Sequence, residues 1–468
     1  MIRCTHEART LALAAAMVAV AVTAAMAADP VASEPADRHG LELTVYNRDL
    51  ALVRELRGVD LPEGRCEVEF RGVPERIRPT SLVVRAGGDT GLEILEQNYE
   101  FDLMSRERIL EKYVGRTIAW IQEDGTRVEG RLLGMAAGPV YEVDGEVVFE
   151  VPGRIALPEL PGNLRARPTL VWQAETRRGG RADLDVSYLT GGMSWNADYV
   201  LDLDAAGARA DLQGWVTVEN RSGAAYADAT LQLVAGDVHV VTPARPVSDA
   251  VYPLAAKAGT MVEQESLYDY HLYTVPWATD LPDNSSKQVS LLDAAGLRVE
   301  RRYLVRGGAY LFRGAGAPPR QDVEVHYEFL NDEDNALGLP LPAGVVRVYG
   351  RSNSGKRQLL GEDRIDHTPR DEKVTLRVGN AFDLVAERLS TDFRRIGDRV
   401  TQSSWAVTLR NHKDEDVTID VLEQVGGDWQ MLKASREHEK LSAQEILFRV
   451  PVPARGETTL TYTVQVTY

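Results

Sequence analysis

The stretch Gly350-Arg351-Ser352-Asn353-Ser354-Gly355-Lys356 has the glycine and lysine spacing of a phosphate-binding loop. Such a loop needs a Ser or Thr after the lysine to reach magnesium, and a helix N-terminus to cradle the phosphates. Arg357 stands there instead and a strand-like run follows, so the stretch reads as a hairpin turn. Asp332-Glu333-Asp334-Asn335 opens with calcium-loop spacing, but Ala336 and Leu337 replace the next oxygen ligands and no Glu closes the loop. His239, His271, His326, His367, His412 and His438 are scattered, with no zinc-pair spacing among them. The strand-to-helix elbow of a serine hydrolase is absent too.

The densest unusual stretch is 266–287, where Tyr268, Tyr270, Tyr273 and Trp277 cluster in a chain that is only 7% aromatic. Flat aromatic faces beside polar groups suit sugars or extended peptides, because they bury much area at low side-chain entropy cost. Tyr270, His271, Tyr273 and Trp277 are therefore the candidate ligand-binding residues. Pro276 and Pro282 keep the segment out of a central strand. The competing expectation is a strap whose aromatics pack between two sandwiches. Neither a cofactor nor a metal is expected.

Elements that position these residues follow a period of two. Leu41, Leu43 and Val45 alternate with Glu42 and Thr44, and Leu460, Tyr462, Val464 and Val466 alternate with Thr or Gln. Half-buried antiparallel strands produce this pattern. One short helix is expected over 105–113, with Ser105 as N-cap and Gly115 beyond its end. The class is all-β: multidomain antiparallel β-sandwiches, with a small closed β-barrel-like domain inserted at 112–161. The barrel strands are read at 117–122, 127–135, 140–143, 147–151 and 154–157. Around it lie a linker at 28–40, an N-terminal sandwich part at 41–111 and a central sandwich at 162–243. A connector with the aromatic strap follows at 244–296, then a C-terminal sandwich at 297–468. No fixed-period repeat is evident. Cys66 falls on the apolar phase of its strand and reads as a buried, inert thiol.

Length and charge bound the partners. A chain of 468 residues holds about three domains of ordinary size. Its 44% hydrophobic and 26% charged residues are those of a globular protein. The formal charge of −17 argues against nucleic acid, whose phosphates need the opposite sign. Residues 1–27 carry Arg3 and Arg9, an alanine-rich apolar run, and Ala25-Met26-Ala27 at the end. They read as a cleaved signal peptide, giving a periplasmic or secreted protein with no transmembrane segment in the mature chain.

The segments 43–53, 95–103, 188–203, 214–238 and 270–292 together resemble the bacterial domain of unknown function 4139 family, related to the mucoidy inhibitor A proteins. The resemblance spans about Leu41 to Tyr468 and implies an exported, β-rich protein with no catalytic residues to carry over. The coiled coil of the mucoidy inhibitor A-like members has no counterpart here. The expected function is a non-catalytic envelope protein that binds a polysaccharide or a protein. The alternative is a metal-assisted hydrolase built from separated loops, with Asp332, Asp334 and His271 as its first candidates.

Overall fold

The computed structural model describes residues 29–100, 105–136, 138–159, 165, 167–236, 238, 263–267 (backbone alone), 270–313, 320–352 and 354–468. The segment read as a signal peptide, all of 239–262 (His239 included) and Tyr268 lie outside the described residues. Strands make up 64% of the structure, and Arg106–Lys112 is its α-helix. Ser105 caps that helix by accepting from the Arg108 amide at 3.2 Å. The phosphate-loop lookalike is a hairpin turn joining Gly344–Arg351 to Arg357–Ile365, closed by Ser352 N to Lys356 O at 2.9 Å.

Five sheets carry the main body. The first runs Val31–Ser33, Gly64–Arg71, Thr169–Thr176, Glu93–Glu100. The core of the second runs Tyr270–Thr274, Tyr226–Ala235, Arg38–Tyr46, Ala51–Leu61, Gly180–Thr190, Ile77–Gly87. The third runs Ser285–Arg298, Arg209–Asn220, Met193–Leu203, Gly344–Arg351, Arg357–Ile365. The fourth runs Lys373–Asn380, Glu324–Leu330, Glu300–Arg306, Val417–Gln424, Glu445–Val452. The fifth runs Arg320–Gln321, Leu384–Arg395, Val400–Asn411, Glu457–Thr467, Asp428–Ala434.

These sheets repeat one five-strand unit four times. In each unit the first, second and fifth strands pair antiparallel, while the third and fourth pair with each other on the preceding sheet. The units start at Arg38–Tyr46, Met193–Leu203, Glu300–Arg306 and Leu384–Arg395. The first three of these strands are shared. Each lies antiparallel to its own second strand and parallel to the third strand of the following unit: Tyr226–Ala235, Gly344–Arg351 and Val417–Gln424 respectively. In the first unit, Val31–Ser33 takes the parallel place beside Gly64–Arg71. Part of the expected linker, 28–40, is thus structured.

Side-chain phase shows how the sheets stack. Leu43 lies opposite Val53 on one side and Leu231 on the other; Leu201 lies opposite Leu212 and Val348. All are buried. A shared strand therefore turns its apolar side chains to the same face as both neighbours, because residues paired across a ladder point the same way. Consecutive sheets face each other, so the first, third and fifth form one layer and the second and fourth the other, offset like brickwork. The first three units share one contiguous core, and the fourth has its own. Cys66 sits in the first core, 7% exposed, and burial raises its thiol pKa.

A buried asparagine ends the second strand of three units. Asn220 Nδ2 donates to the carbonyls of Ala224, Leu281 and Pro282 at 2.9–3.1 Å. Asn411 Nδ2 does the same to Glu415, Val452 and Pro453, and Asn331 Nδ2 to Leu339 and Pro369. Each amide ties the turn after the second strand to the connection before the fifth. Asn411→Ala should cost the fourth unit about 2–3 kcal/mol, since it strands buried carbonyls as well as losing the bonds. Urea unfolding read by near-ultraviolet circular dichroism checks this.

The insertion between the third and fourth strands of the first unit holds the five expected short strands. They form one antiparallel sheet in the order Glu146–Val148, Val140–Val143, Arg127–Gly134, Thr117–Ile121, Arg154–Ala156. The expected closed barrel is corrected: the two edge strands do not pair, and the sheet stays open. Trp120, Tyr141, Leu132 and the helix residue Leu110 fill its concave side, with Trp120 edge-on to Tyr141 at 4.8 Å.

Candidate functional site

The strap residues part company in the structure. Tyr270–Thr274 is an inner strand of the second sheet, paired with Tyr226–Ala235 on one side and Glu263–Leu267 on the other. The expectation that Pro276 and Pro282 keep the segment out of a central strand is thus corrected: both prolines fall outside the paired residues. Tyr273 points into the core: it is 2% exposed, edge-on to Trp195 at 6.4 Å, and its hydroxyl donates to Pro340 O at 3.0 Å. Burial drives its pKa far up, so it stays neutral. Its place is that of a packing residue, not part of an open face. Tyr270, on the opposite phase, is half-buried, with its ring against the backbone of Gly236. A Cβ there would fall 2.6 Å from the ring, at a φ of +130°, so only glycine fits.

His271 is half-buried; burial first, and then the charge of His367, lower its pKa, which keeps the imidazole neutral near pH 7. Trp277 is 49% exposed on the loop 275–278, anchored by Val275 N donating to Leu231 O at 2.9 Å. Strand alternation sends neighbours to opposite sides, so the four residues form no single aromatic platform. Asp332 and Asp334 lie in the turn after Asn331. Asp332 accepts from the Asn335 amide at 2.8 Å, and the Asp334 carbonyl accepts from Arg298. His271 lies on another element. Among the described residues no group of three or more His, Cys, Asp or Glu is placed to hold a metal.

A different aromatic residue has the surroundings of a binding platform. On Arg209–Asn220, Leu212, Val216 and Val218 face the core, while Gln213, Trp215 and Thr217 occupy the polar phase. Trp215 is 40% exposed in the outer face of the third sheet, one strand in from the edge. Directly across from it lie Asp198 on one side and Ser290 on the other; Thr217 is flanked likewise by Asn196 and Gln288.

The polar groups there are already aligned. Gln288 donates to Thr217 at 3.2 Å, Thr217 to Asp198 at 3.3 Å, and Arg347 pairs with Asp198 at 3.0 Å and with Glu362 at 3.5 Å. This chain of bonds crosses all five strands beside the indole. The face thus offers one flat apolar ring and a row of amide, hydroxyl and carboxylate groups held on rigid strands. Such a surface can stack on the C–H face of a sugar ring and hydrogen-bond its hydroxyls.

Sequence reasoning missed Trp215, although its signal was present: a tryptophan in the polar phase of a strand has no packing reason to be there. Fold and face together define an all-β, multi-sheet protein with an open aromatic platform. Comparison with protein-family models finds no match, and comparison with curated proteins finds none. No helix among the described residues is long and apolar enough to cross a membrane.

Proposed function

We propose that this is an exported cell-envelope protein that binds rather than catalyses, and that it recognises a glycan on the outer face of its third sheet. The observation that carries the reading is Trp215, standing in the polar phase beside Asn196, Asp198, Gln213, Thr217 and Gln288. The signal-like segment 1–27 and the resemblance to the domain of unknown function 4139 family support an exported, β-rich protein. The acidic charge of −17 favours a neutral or basic glycan over a polyanion.

The test is calorimetric titration of the purified protein with fractionated envelope polysaccharides, beside the Trp215→Ala and Trp277→Ala variants. Losing Trp215 should weaken binding by about thirtyfold, the effect of a hot spot worth about 2 kcal/mol. Melting should stay unchanged, because the indole is not part of the core. Equal affinity in wild type and Trp215→Ala overturns the site. Loss confined to Trp277→Ala moves it to the strap loop.

A further inference from the structure

Among the described residues, the first and the fifth sheet each lack strands that the inner sheets carry, and in complementary ways. Inside the chain, each shared first strand is covered along its second edge by a parallel strand: Glu42–Tyr46 by 230–234, 197–202 by 344–349, and 303–306 by 419–422. Among the described residues no third strand takes that place beside the first strand of the fourth unit, Leu384–Arg395. Its corresponding edge meets, among the described residues, only Arg320–Gln321, opposite Ala386 and Glu387. Beyond Glu387 that edge has no strand partner among the described residues. Large apolar side chains are exposed on and around it: Phe382 at 93%, Leu389 at 65%, Ile396 at 56% and Phe393 at 41%.

At the other end, Gly64–Arg71 is a third strand with no first strand of another unit beside it among the described residues. Its parallel place is held by Val31–Ser33, which reaches only Val68–Phe70. The fifth sheet lacks what the first sheet carries, a parallel third strand and its fourth-strand partner. The first sheet in turn lacks a full first strand with its second and fifth.

The joining strands themselves are close to neutral: Leu384–Arg395 carries three basic and two acidic side chains, and Gly64–Arg71 two of each. In an acidic chain, the strands of the fifth sheet hold six basic and four acidic side chains, whereas those of the first hold two basic and six acidic. The layers also continue in step. The fifth sheet of one copy and the first of the next lie in the same layer, so their union places the next copy's second sheet in the layer of the fourth.

We propose that the chain assembles head to tail with copies of itself, Leu384–Arg395 of one copy pairing in parallel with Gly64–Arg71 of the next, in the place held by Val31–Ser33. The interface joins two different surfaces, so it does not close on itself at two copies and builds linear chains. It lies apart from Trp215 and goes beyond the glycan-binding reading.

Sedimentation velocity over a wide concentration range, at low and at high salt, tests the proposal. The full chain should form an open series of species growing with concentration, at low and at high salt alike, because exposed apolar side chains and backbone groups rather than charges form the junction. Leu389→Glu combined with Phe393→Glu, both exposed, should need about tenfold or more protein to reach the same mean mass. Removing residues 29–33 should instead promote assembly by vacating the acceptor edge. An unaltered melting curve shows that a variant is folded. A mass that stops at two copies overturns the proposal, as does a monomer that persists at every concentration even without residues 29–33.

Discussion

Truncating Arg388 to alanine should destabilise the fourth unit by about 3–5 kcal/mol, the cost of leaving a buried carboxylate without its partner. Arg388 lies on the inner phase of Leu384–Arg395 in the fifth sheet, and Glu423 on Val417–Gln424 in the fourth. Both side chains are wholly buried. The Arg388 Nη1 contacts the Glu423 carboxylate and the Tyr462 hydroxyl, and its Nε donates to Gln321 at 2.9 Å. Burial opposes the guanidinium charge, but Glu423 and Tyr462 more than offset it and raise the pKa. The pair thus clamps two sheets across their core.

The fourth unit has a core separate from the other three, so the loss should show as an early transition in denaturant rather than as a uniform shift. Replacing Arg388 and Glu423 together by methionine and leucine should recover much of the loss, since a buried pair contributes little beyond an apolar filling. Calorimetric unfolding of the three proteins checks both statements, and a single mutant that melts like wild type refutes the clamp.

A second large effect is expected at Glu55, the hub of the first unit. Its carboxylate accepts from Arg57 Nη2 at 2.6 Å, from Arg38 Nε at 2.9 Å and from the Tyr188 hydroxyl at 2.5 Å. Arg57 then reaches across to the first sheet, donating to Ser33 O and Arg71 O, with its guanidinium 3.7 Å from the centre of the Phe70 ring. Burial pushes the Glu55 pKa up, but the arginines and the tyrosine bond outweigh it, and the net direction is down.

A carboxylate with a depressed native pKa stabilises above its unfolded value of about 4.3, and that stability fades as pH falls through the native value. Glu55→Ala should therefore cost about 3–5 kcal/mol at pH 7. The gap from wild type should narrow progressively below pH 4. Stability curves of the two proteins between pH 7 and pH 3 test it, and a gap that is constant with pH refutes the assignment.

Much of the fold was legible because strand faces are a local property. Alternation gave the all-β class, the Ser105 cap gave the helix, and the turn residues gave all five strands of the inserted sheet. Alternation does not name a strand's neighbour, however. Met193–Leu203 pairs with a strand about 150 residues away, a distance on which residue phase carries no information. The unit repeat stayed hidden because its spacing is uneven: Asn220 reaches Pro282, whereas Asn331 reaches Pro369 and Asn411 reaches Pro453. The whole inserted sheet also interrupts the first unit.

The candidate site was less legible. An aromatic cluster in sequence measures composition, and Tyr273 shows that alternation can send half of such a cluster into a core. Trp215 was the reverse case, a solitary aromatic whose phase, not its density, set it apart.

Shared strands have a mechanical consequence. Only Gly191 and Gly192, then Val299, then residues 381–383 separate the last strand of one unit from the first of the next. Those first strands are themselves laced into the neighbouring unit, so no loose length of chain is left to act as a hinge. Four sandwiches on ordinary linkers would behave as beads on a string. Here they form a beam, in which neighbouring units are joined side by side, so tension along the axis acts on all the hydrogen bonds of a parallel ladder at once. A ligand bound at the proposed site on the third sheet would therefore sit at a fixed distance from either end.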